Sequence, residues 1–235
     1  MNNLWEIFFT TQITEPPRFE LFWYAALLLL LGLTFYASYH YREKKACQRF
    51  FQILQFIQLV SLYGWYWGNQ MPLSESLPFY HCRIAMFVLL FIPGTSKYKQ
   101  YFALMGTFGT VAAFLYPVFD SYPFPHVTIL SFVIGHVALL GNALLYLLKY
   151  YEPSLLSLKS AIRMTFSLNA LILVVNLVVG GDYGFLTKPP LVGDHGLLAN
   201  YVIVSGMLVV AVSLVAKLLE MFLQQKSEEF IQEKA

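Results

Sequence analysis

Charged residues are scarce in this chain of 235 residues: Asp, Glu, Lys and Arg make up 12% of it, whereas hydrophobic residues make up 58%. A soluble domain has about 25% charged and about 45–50% apolar residues. So little charge cannot cover a globule in water, which excludes an ordinary soluble enzyme, a disordered tail and a nucleic-acid binder. Two cysteines, Cys47 and Cys82, are too few for a disulfide framework. The composition therefore predicts an integral membrane protein.

Seven apolar stretches approach the roughly 20 residues that a helix needs to cross a bilayer. They predict an all-α membrane protein, a bundle of seven transmembrane helices within residues 21–222. Residues 1–20 lack a basic region and a long apolar run, so we expect an outer N-terminal segment without a cleavable signal peptide. Residues 223–235 are expected to be a cytoplasmic tail. The predicted segments are about Leu21–Tyr39, Phe50–Trp67, Leu77–Ile92, Tyr101–Val118, Val127–Leu148, Ile162–Val179 and Tyr201–Phe222.

The distribution of Lys and Arg predicts the orientation of this bundle. The loops after segments one, three and five, together with the C-terminal tail, hold twelve of these residues. The opposite side holds two, Arg18 and Lys188. By the positive-inside rule the N-terminus faces outward and the C-terminus faces the cytoplasm, which agrees with an odd number of crossings.

A GxxxG pattern, Gly64 and Gly68, lies in the second segment. Small residues four apart on a helix allow another helix to approach closely. We interpret this pair as packing within the bundle.

The strongest cluster of reactive side chains stands at the outer end of the third segment. Pro78 suits the first turn of a helix, which would place Cys82 in the second turn. A helix N-terminus and the adjacent Arg83 both favour a thiolate, and the alternative is that Cys82 is a small packed core residue. His81 is not a ready base for Cys82, because adjacent helical residues point about 100° apart.

Three more polar residues interrupt or border apolar segments. An arginine within a membrane segment normally faces the bundle interior, so Arg83 is expected to bind a phosphate or carboxylate unless it snorkels to the headgroups. His136 lies about three turns into the fifth segment, as either a structural polar group or a functional one. His126 begins the same helix, where capping explains it equally well.

The last outer loop, residues 180–200, is rich in glycine and in polar residues. We expect it to close over a pocket lined by Cys82, Arg83, His136 and Tyr183. Its histidine and aspartates could contribute to a metal site, but no HExxH or HxxxH motif accompanies them, so no metal or other cofactor is predicted. Its chemically active residues are Asp182, Tyr183, Lys188, Asp194 and His195.

Three blocks of the sequence carry a family resemblance. They are Leu77-Pro78-Phe79-Tyr80-His81-Cys82, then Leu115-Tyr116-Pro117 through Tyr122-Pro123-Phe124 to Gly135-His136, and Leu168-Asn169 through Asp182-Tyr183-Gly184-Phe185-Leu186 to Lys188-Pro189. In this order they resemble the YwaF-like family of bacterial integral membrane proteins, which is related to a vertebrate cysteine-dependent membrane phospholipid acyltransferase. The resemblance spans about Phe50 to Phe222. It implies acyl transfer on lipid in a bacterial cytoplasmic membrane, with Cys82 as nucleophile and His136 as the matching histidine. The chain departs from the family in having His81 directly before Cys82 and in having Asp182 in place of an asparagine.

The leading hypothesis is therefore a transacylase that acts on lipids at the outer leaflet through an acyl-cysteine. Its partners would be membrane lipids, without nucleic acid. One alternative is a binding or transport subunit for a small anionic or lipid ligand, which would need no nucleophilic thiol. Another is a metal-dependent lipid hydrolase built from His81, His126, His195 and nearby aspartates. The residues expected to bind substrate are Arg83, His81, His126, Asp182, Tyr183 and Lys188.

Overall fold

The computed structural model describes residues 4–17 and 20–234, with side chains described as far as residue 226. Arg18, counted above for the orientation, lies outside the described residues. Within them the chain is helical and contains no β-strand, which confirms the all-α class. The helices are α1 (Leu4–Phe8), α2 (Leu21–His40), α3 (Lys45–Gly68), α4 (Leu73–Ser76), α5 (His81–Phe91), α6 (Lys97–Leu115), α7 (Val127–Tyr150), α8 (Leu158–Val179) and α9 (Leu197–Lys234).

Each of the seven apolar stretches coincides with one of the helices α2, α3 and α5 to α9. Four helices of the described chain, namely α2, α7, α8 and the Leu197–Lys226 part of α9, are long and apolar enough to cross a membrane. The protein is thus a multi-pass membrane protein. With 11 residues, α5 is only about 16 Å long. Seven crossings and the direction of the termini stay predictions.

The helix that carries Cys82 begins later than the sequence suggested. Tyr80 is the N-cap, with an extended backbone, so α5 starts at His81 and Pro78 lies before the helix. The expectation that Pro78 occupies the first helical turn was wrong. Cys82 is therefore in the first turn of α5 and not in the second, close to the unpaired N–H groups of the helix start.

Helix α7 is the centre of the bundle. It packs against α2, α3, α5 and α6. Of an apolar 18-residue stretch of α7, 72% is buried inside the protein, compared with 17% for the corresponding stretch of α2. Glycine allows this crowding: a Cβ at Gly141 would stand 2.4 Å from the ring of Phe51 on α3. A Cβ at Gly135, nearly two turns earlier, would lie 3.0 Å from the Gln58 side chain on α3. These two glycines let α3 and α7 pack closely.

Polar side chains join α3 and α7 within this apolar interior. The Gln55 side-chain amide donates a hydrogen bond to the Gln58 side-chain oxygen at 2.7 Å. The Gln58 side-chain amide in turn donates to the Ser131 hydroxyl. A buried amide without a partner would cost about 1–3 kcal/mol. The chain of bonds therefore favours one register between the two helices.

The GxxxG pair has a different environment from the one expected. Gly64 and Gly68 are exposed, and a Cβ at either position would meet no atom within 4 Å. Interpreting them as packing within the bundle was wrong. The glycines that bring helices together lie on α6 and α7.

The contrast between these glycines yields a test of the packing. Gly141→Ala is expected to lower the free energy of unfolding by about 1–3 kcal/mol, because its Cβ would overlap the Phe51 ring. Gly64→Ala is the matched control and is expected to keep or raise stability, since the methyl meets open space. Thermal unfolding of the detergent-solubilised proteins measures both. Equal melting temperatures would contradict the α3–α7 packing.

Candidate functional site

Cys82 lies at the side of α5 that faces α6. Its side chain is partly buried against the main hydrophobic core, and its thiol is free of any disulfide. A Cβ at Gly109 of α6 would lie 2.6 Å from the Cys82 Sγ. The absence of a side chain at Gly109 therefore makes the space that the thiol occupies.

His136 is held in one orientation within α7. Its Nδ1 lies 2.7 Å from the Phe132 carbonyl oxygen, and the ring packs against Phe132 and Phe114 at centroid distances of 4.5 and 6.1 Å. Because a carbonyl oxygen only accepts hydrogen bonds, Nδ1 must carry the proton. When the ring is neutral, Nε2 then has a lone pair, which can accept a proton.

Cys82 and His136 reach the same turn of α6 from two different helices. Gly109 touches the Cys82 sulfur, and the next residue, Thr110, donates a hydrogen bond from Oγ1 to the His136 carbonyl oxygen at 3.2 Å. We call Cys82, Gly109, Thr110 and His136 the three-helix contact. The bond reaches His136 through its backbone carbonyl, so the contact brings α5 and α7 to this turn of α6, and direct proton transfer between the thiol and the imidazole stays a prediction.

Arg83 follows Cys82 and is half-buried among aromatic rings. It donates a hydrogen bond to the Tyr66 hydroxyl at 2.9 Å and a longer one to the Glu75 carbonyl oxygen at 3.5 Å. Its guanidinium also lies 5.3 Å from the ring centre of Tyr66 and 5.0 Å from that of Tyr80. These contacts hold the guanidinium against Tyr66 and Tyr80, and whether Arg83 reaches the headgroups stays open between the two predictions.

No carboxylate forms an ion pair with Arg83 in the part of the chain that the structure describes. A guanidinium has five N–H donors, and the contacts above use two of them. The remaining donors suit an anionic ligand.

An acidic cavity of about 270 Å³ has Glu75 and Asp120 among its lining residues, and Arg83 contacts one of them through the Glu75 carbonyl oxygen. Burial, and to a smaller extent the Asp120 carboxylate, raises the pKa of Glu75. The charge of Asp120 also acts on Arg83, at a distance beyond an ion pair.

His81 faces away from the thiol, as the spacing of adjacent helical residues predicts. Its Nε2 is 2.6 Å from the Asn169 side-chain oxygen, and the Asn169 amide donates to the Ser205 hydroxyl at 2.9 Å. Because that oxygen accepts, Nε2 carries the proton of a neutral ring. His81 thus ties the start of α5 to α8 and α9.

Tyr183 anchors the last loop to the segment before α5. Its hydroxyl accepts from the Leu77 N–H at 2.8 Å and donates to the Leu73 carbonyl oxygen at 2.6 Å. Its own backbone N–H and C=O both bond to the Asn176 side chain, at 2.8 and 2.9 Å. The loop therefore folds over the start of α5, with Tyr183 holding it in place.

Other loop residues bond mainly within the loop. The Asp182 carboxylate accepts hydrogen bonds from the Thr187 N–H and hydroxyl, while the Lys188 side chain is exposed. The Gly196 N–H, followed by the Asn200 side-chain amide, lowers the pKa of Asp194. Asp182 is thus engaged in shaping the loop.

The three histidines of the metal alternative do not come together. His126 is fully buried, bonds to Thr10 and Thr128, and stacks on a tyrosine, so it caps α7. His195 lies exposed in the loop and bonds to a backbone carbonyl. Across the described residues, no group of three His, Cys, Asp or Glu side chains could hold a metal ion. The alternative of a metal centre built from His81, His126 and His195 was therefore wrong.

A protein-family model matches the chain over residues 8–219, which includes all of the candidate site residues. The chain belongs to the TMEM164 family. This is a family of membrane proteins, in agreement with the apolar helices, whereas the YwaF-like name and the bacterial origin stay predictions. Neither the curated proteins nor the solved structures contain a significant match to the chain.

Sequence reasoning gave no role to several residues that build the site of this TMEM164-family chain. Asn169 and Asn176 are seven residues apart in an apolar helix, and that spacing puts two polar side chains on one face. This signal could have predicted that α8 receives polar partners. No comparable signal marked Thr110 or Tyr66, since a threonine and a tyrosine are ordinary in membrane helices.

The contact between the loop and His81 offers a second test in this TMEM164-family protein. Gly184 has a φ of +68°, and a Cβ there would lie 2.7 Å from the His81 Cε1. Gly193 has a similar φ of +76° but no atom within 4 Å of its Cβ position. Both alanine variants carry the left-handed backbone cost, roughly 1–2 kcal/mol. Gly184→Ala is expected to lose about 1–3 kcal/mol more, through the clash with His81. Denaturation of the two variants side by side measures this difference, and equal losses would contradict the packing of the loop on His81.

Proposed function

We propose that this protein transfers acyl groups between membrane lipids through a thioester on Cys82. The observation behind the proposal is the three-helix contact, in which the free Cys82 thiol and the His136 backbone carbonyl meet successive residues of α6, while the His136 ring is held through Nδ1 by Phe132. Arg83, with N–H donors to spare, lies next to the thiol in sequence. A nucleophile, a base and an anion-binding group are the parts that acyl transfer from a phospholipid needs.

In the first half of the reaction, the Cys82 sulfur attacks the carbonyl carbon of a lipid ester while its proton passes to His136 Nε2. Apolar surroundings disfavour a free thiolate, so deprotonation and attack belong to one step. The tetrahedral intermediate then breaks its C–O bond. His136 returns the proton to the departing oxygen, which leaves a lysolipid alcohol and an acyl-cysteine.

In the second half, an acceptor hydroxyl gives its proton to His136 and attacks the thioester carbonyl. The C–S bond breaks, the new ester leaves, and the Cys82 sulfur regains the proton from His136. No electron is gained or lost overall, so no redox partner is required. The Nδ1 bond to Phe132 keeps Nε2 available in both halves.

Arg83 would fix the lipid by its phosphate. In a glycerophospholipid the ester carbonyls are only a few bonds from the phosphate, and Cys82 and Arg83 are adjacent in the chain. A bidentate guanidinium–phosphate contact would therefore hold an ester near the sulfur. Lys188, exposed on the loop, is the other predicted binding residue placed to meet a headgroup.

The topology proposed with this function has seven crossings, an outer N-terminus and a C-terminus in the cytoplasm of a bacterial cell. Cys82, Arg83 and the last loop would then open to the outer leaflet. The distribution of Lys and Arg supports this orientation.

Substituting the two cysteines separately tests the proposal. In liposomes that contain a phospholipid with a labelled acyl chain and a lysophospholipid acceptor, Cys82→Ser is expected to reduce acyl transfer about 1,000-fold or more. A serine hydroxyl is far less acidic than a thiol, but it is nearly isosteric, so the melting temperature should be retained. Mass spectrometry of the extracted lipids measures the transfer.

Cys47→Ser is the matched control, because Cys47 is also partly buried and free but belongs to the start of α3. It is expected to keep wild-type activity. Full transfer by a well-folded Cys82→Ser variant would exclude the nucleophile. Undiminished lipid binding without transfer by the wild type would favour the binding-subunit alternative, in which Arg83 holds an anionic ligand and no covalent bond forms.

A further inference from the structure

A second cavity, of about 310 Å³, lies at the end of α5 away from Cys82. Leu89 and Gly94 lie along its wall, seven residues or more beyond Cys82. None of the residues proposed for acyl transfer lines it. The cavity is therefore separate from the three-helix contact.

Three cations from different parts of the fold line this second cavity. Arg42 follows α2, Lys99 is in the first turn of α6, and Lys149 is in the last turn of α7. No Asp or Glu is among its lining residues in the described chain. Arg42 also lies 3.8 Å from Glu43, but both side chains are exposed, and such pairs contribute little.

The cavity also offers uncharged hydrogen-bonding groups. Asn142 and Gln52 line it, as does Tyr146, a buried residue whose hydroxyl lies near the Ser96 backbone amide but makes no hydrogen bond within the described chain. A buried hydroxyl without a partner is costly, and it becomes satisfied if a ligand oxygen or a water approaches. The polar lining thus suits a ligand rich in acceptor oxygens.

Lys99 is the best placed of the three cations. Its ammonium donates one hydrogen bond to the Ile92 carbonyl oxygen at 2.6 Å and lies 5.4 Å from the Tyr146 ring centre. An ammonium has three donors, so two remain. Its place in the first turn of α6 adds the positive end of the helix dipole, which also favours an anion.

We propose that this cavity binds a phosphate group, carried either by a lipid headgroup or by a small water-soluble compound. Arg42, Lys99 and Lys149 line one cavity whose lining contains no carboxylate, and a multiply charged anion there would offset their charge. Phosphate supplies the charge and several acceptor oxygens at once, and Arg42 can bind it through two parallel N–H groups. The site does not depend on the acyl-transfer proposal.

Titration of the purified full-length protein with two probes tests this site. Inorganic phosphate is titrated calorimetrically into protein in phosphatidylcholine nanodiscs, and phosphatidic acid is added to the detergent-solubilised protein and counted by native mass spectrometry. Lys99→Gln is expected to weaken binding of at least one probe about tenfold, as the loss of one charged hydrogen-bonding partner predicts. Lys149→Gln serves as the second variant if Lys99→Gln folds poorly.

Lys97→Gln is the matched control, since Lys97 is also in the first turn of α6 but does not line the cavity. It is expected to bind both probes as the wild type does. Binding of inorganic phosphate that Lys99→Gln weakens identifies a water-soluble ligand. Binding of phosphatidic acid alone, again weakened, identifies a lipid headgroup. The proposal is overturned if the wild type binds neither probe, if Lys99→Gln and Lys149→Gln bind as the wild type does, or if Lys97→Gln weakens binding equally. Cys82→Ser should bind both probes normally, so failure of acyl transfer and failure of this site are distinguishable.

Discussion

Apolar surroundings impose the constraint on which the site depends: a polar group buried without a partner is costly, so the polar side chains of the site bond within the protein. His136 meets this requirement through the Phe132 carbonyl, and the same bond decides which ring nitrogen keeps a lone pair. His81 meets it through Asn169, which turns the imidazole away from Cys82. The hydrogen bonds that stabilise the bundle therefore also assign different roles to two histidines.

Glycines provide the space that this arrangement of side chains needs. The thiol of Cys82 fits where Gly109 has no Cβ, and α7 packs closely against α3 because Gly141 leaves room for the Phe51 ring. Close packing of this kind is a usual way for helices to associate in membranes, where lipid tails compete equally for apolar contacts. The position of the thiol thus depends on how α5 and α6 pack. Gly109, which has no side chain, provides the space for it.

The sequence predicted the helical segments well, since an apolar run of sufficient length has few alternatives in a bilayer. Cys82, Arg83 and His136 stood out because polar residues are costly in such runs. The pairing of His81 with Asn169, 88 residues apart, could not be predicted, because spacing along one helix does not tell which faces of two helices meet. The GxxxG pair was misinterpreted for the same reason: a short motif gives no information on whether a neighbour is present. The start of α5 was misplaced because Pro78 is equally compatible with the segment before a helix.

The central claim is that Cys82 carries an acyl group during turnover. The most direct measurement is rapid acid quenching of the wild-type protein mixed with phospholipid but no acceptor, followed by intact-protein and peptide mass spectrometry. The account predicts a mass increase of one acyl chain on the peptide that contains Cys82, removed by neutral hydroxylamine and lost when a lysophospholipid acceptor is added. Active protein that turns over lipid with no adduct on Cys82, or with the adduct on Cys47, would contradict it.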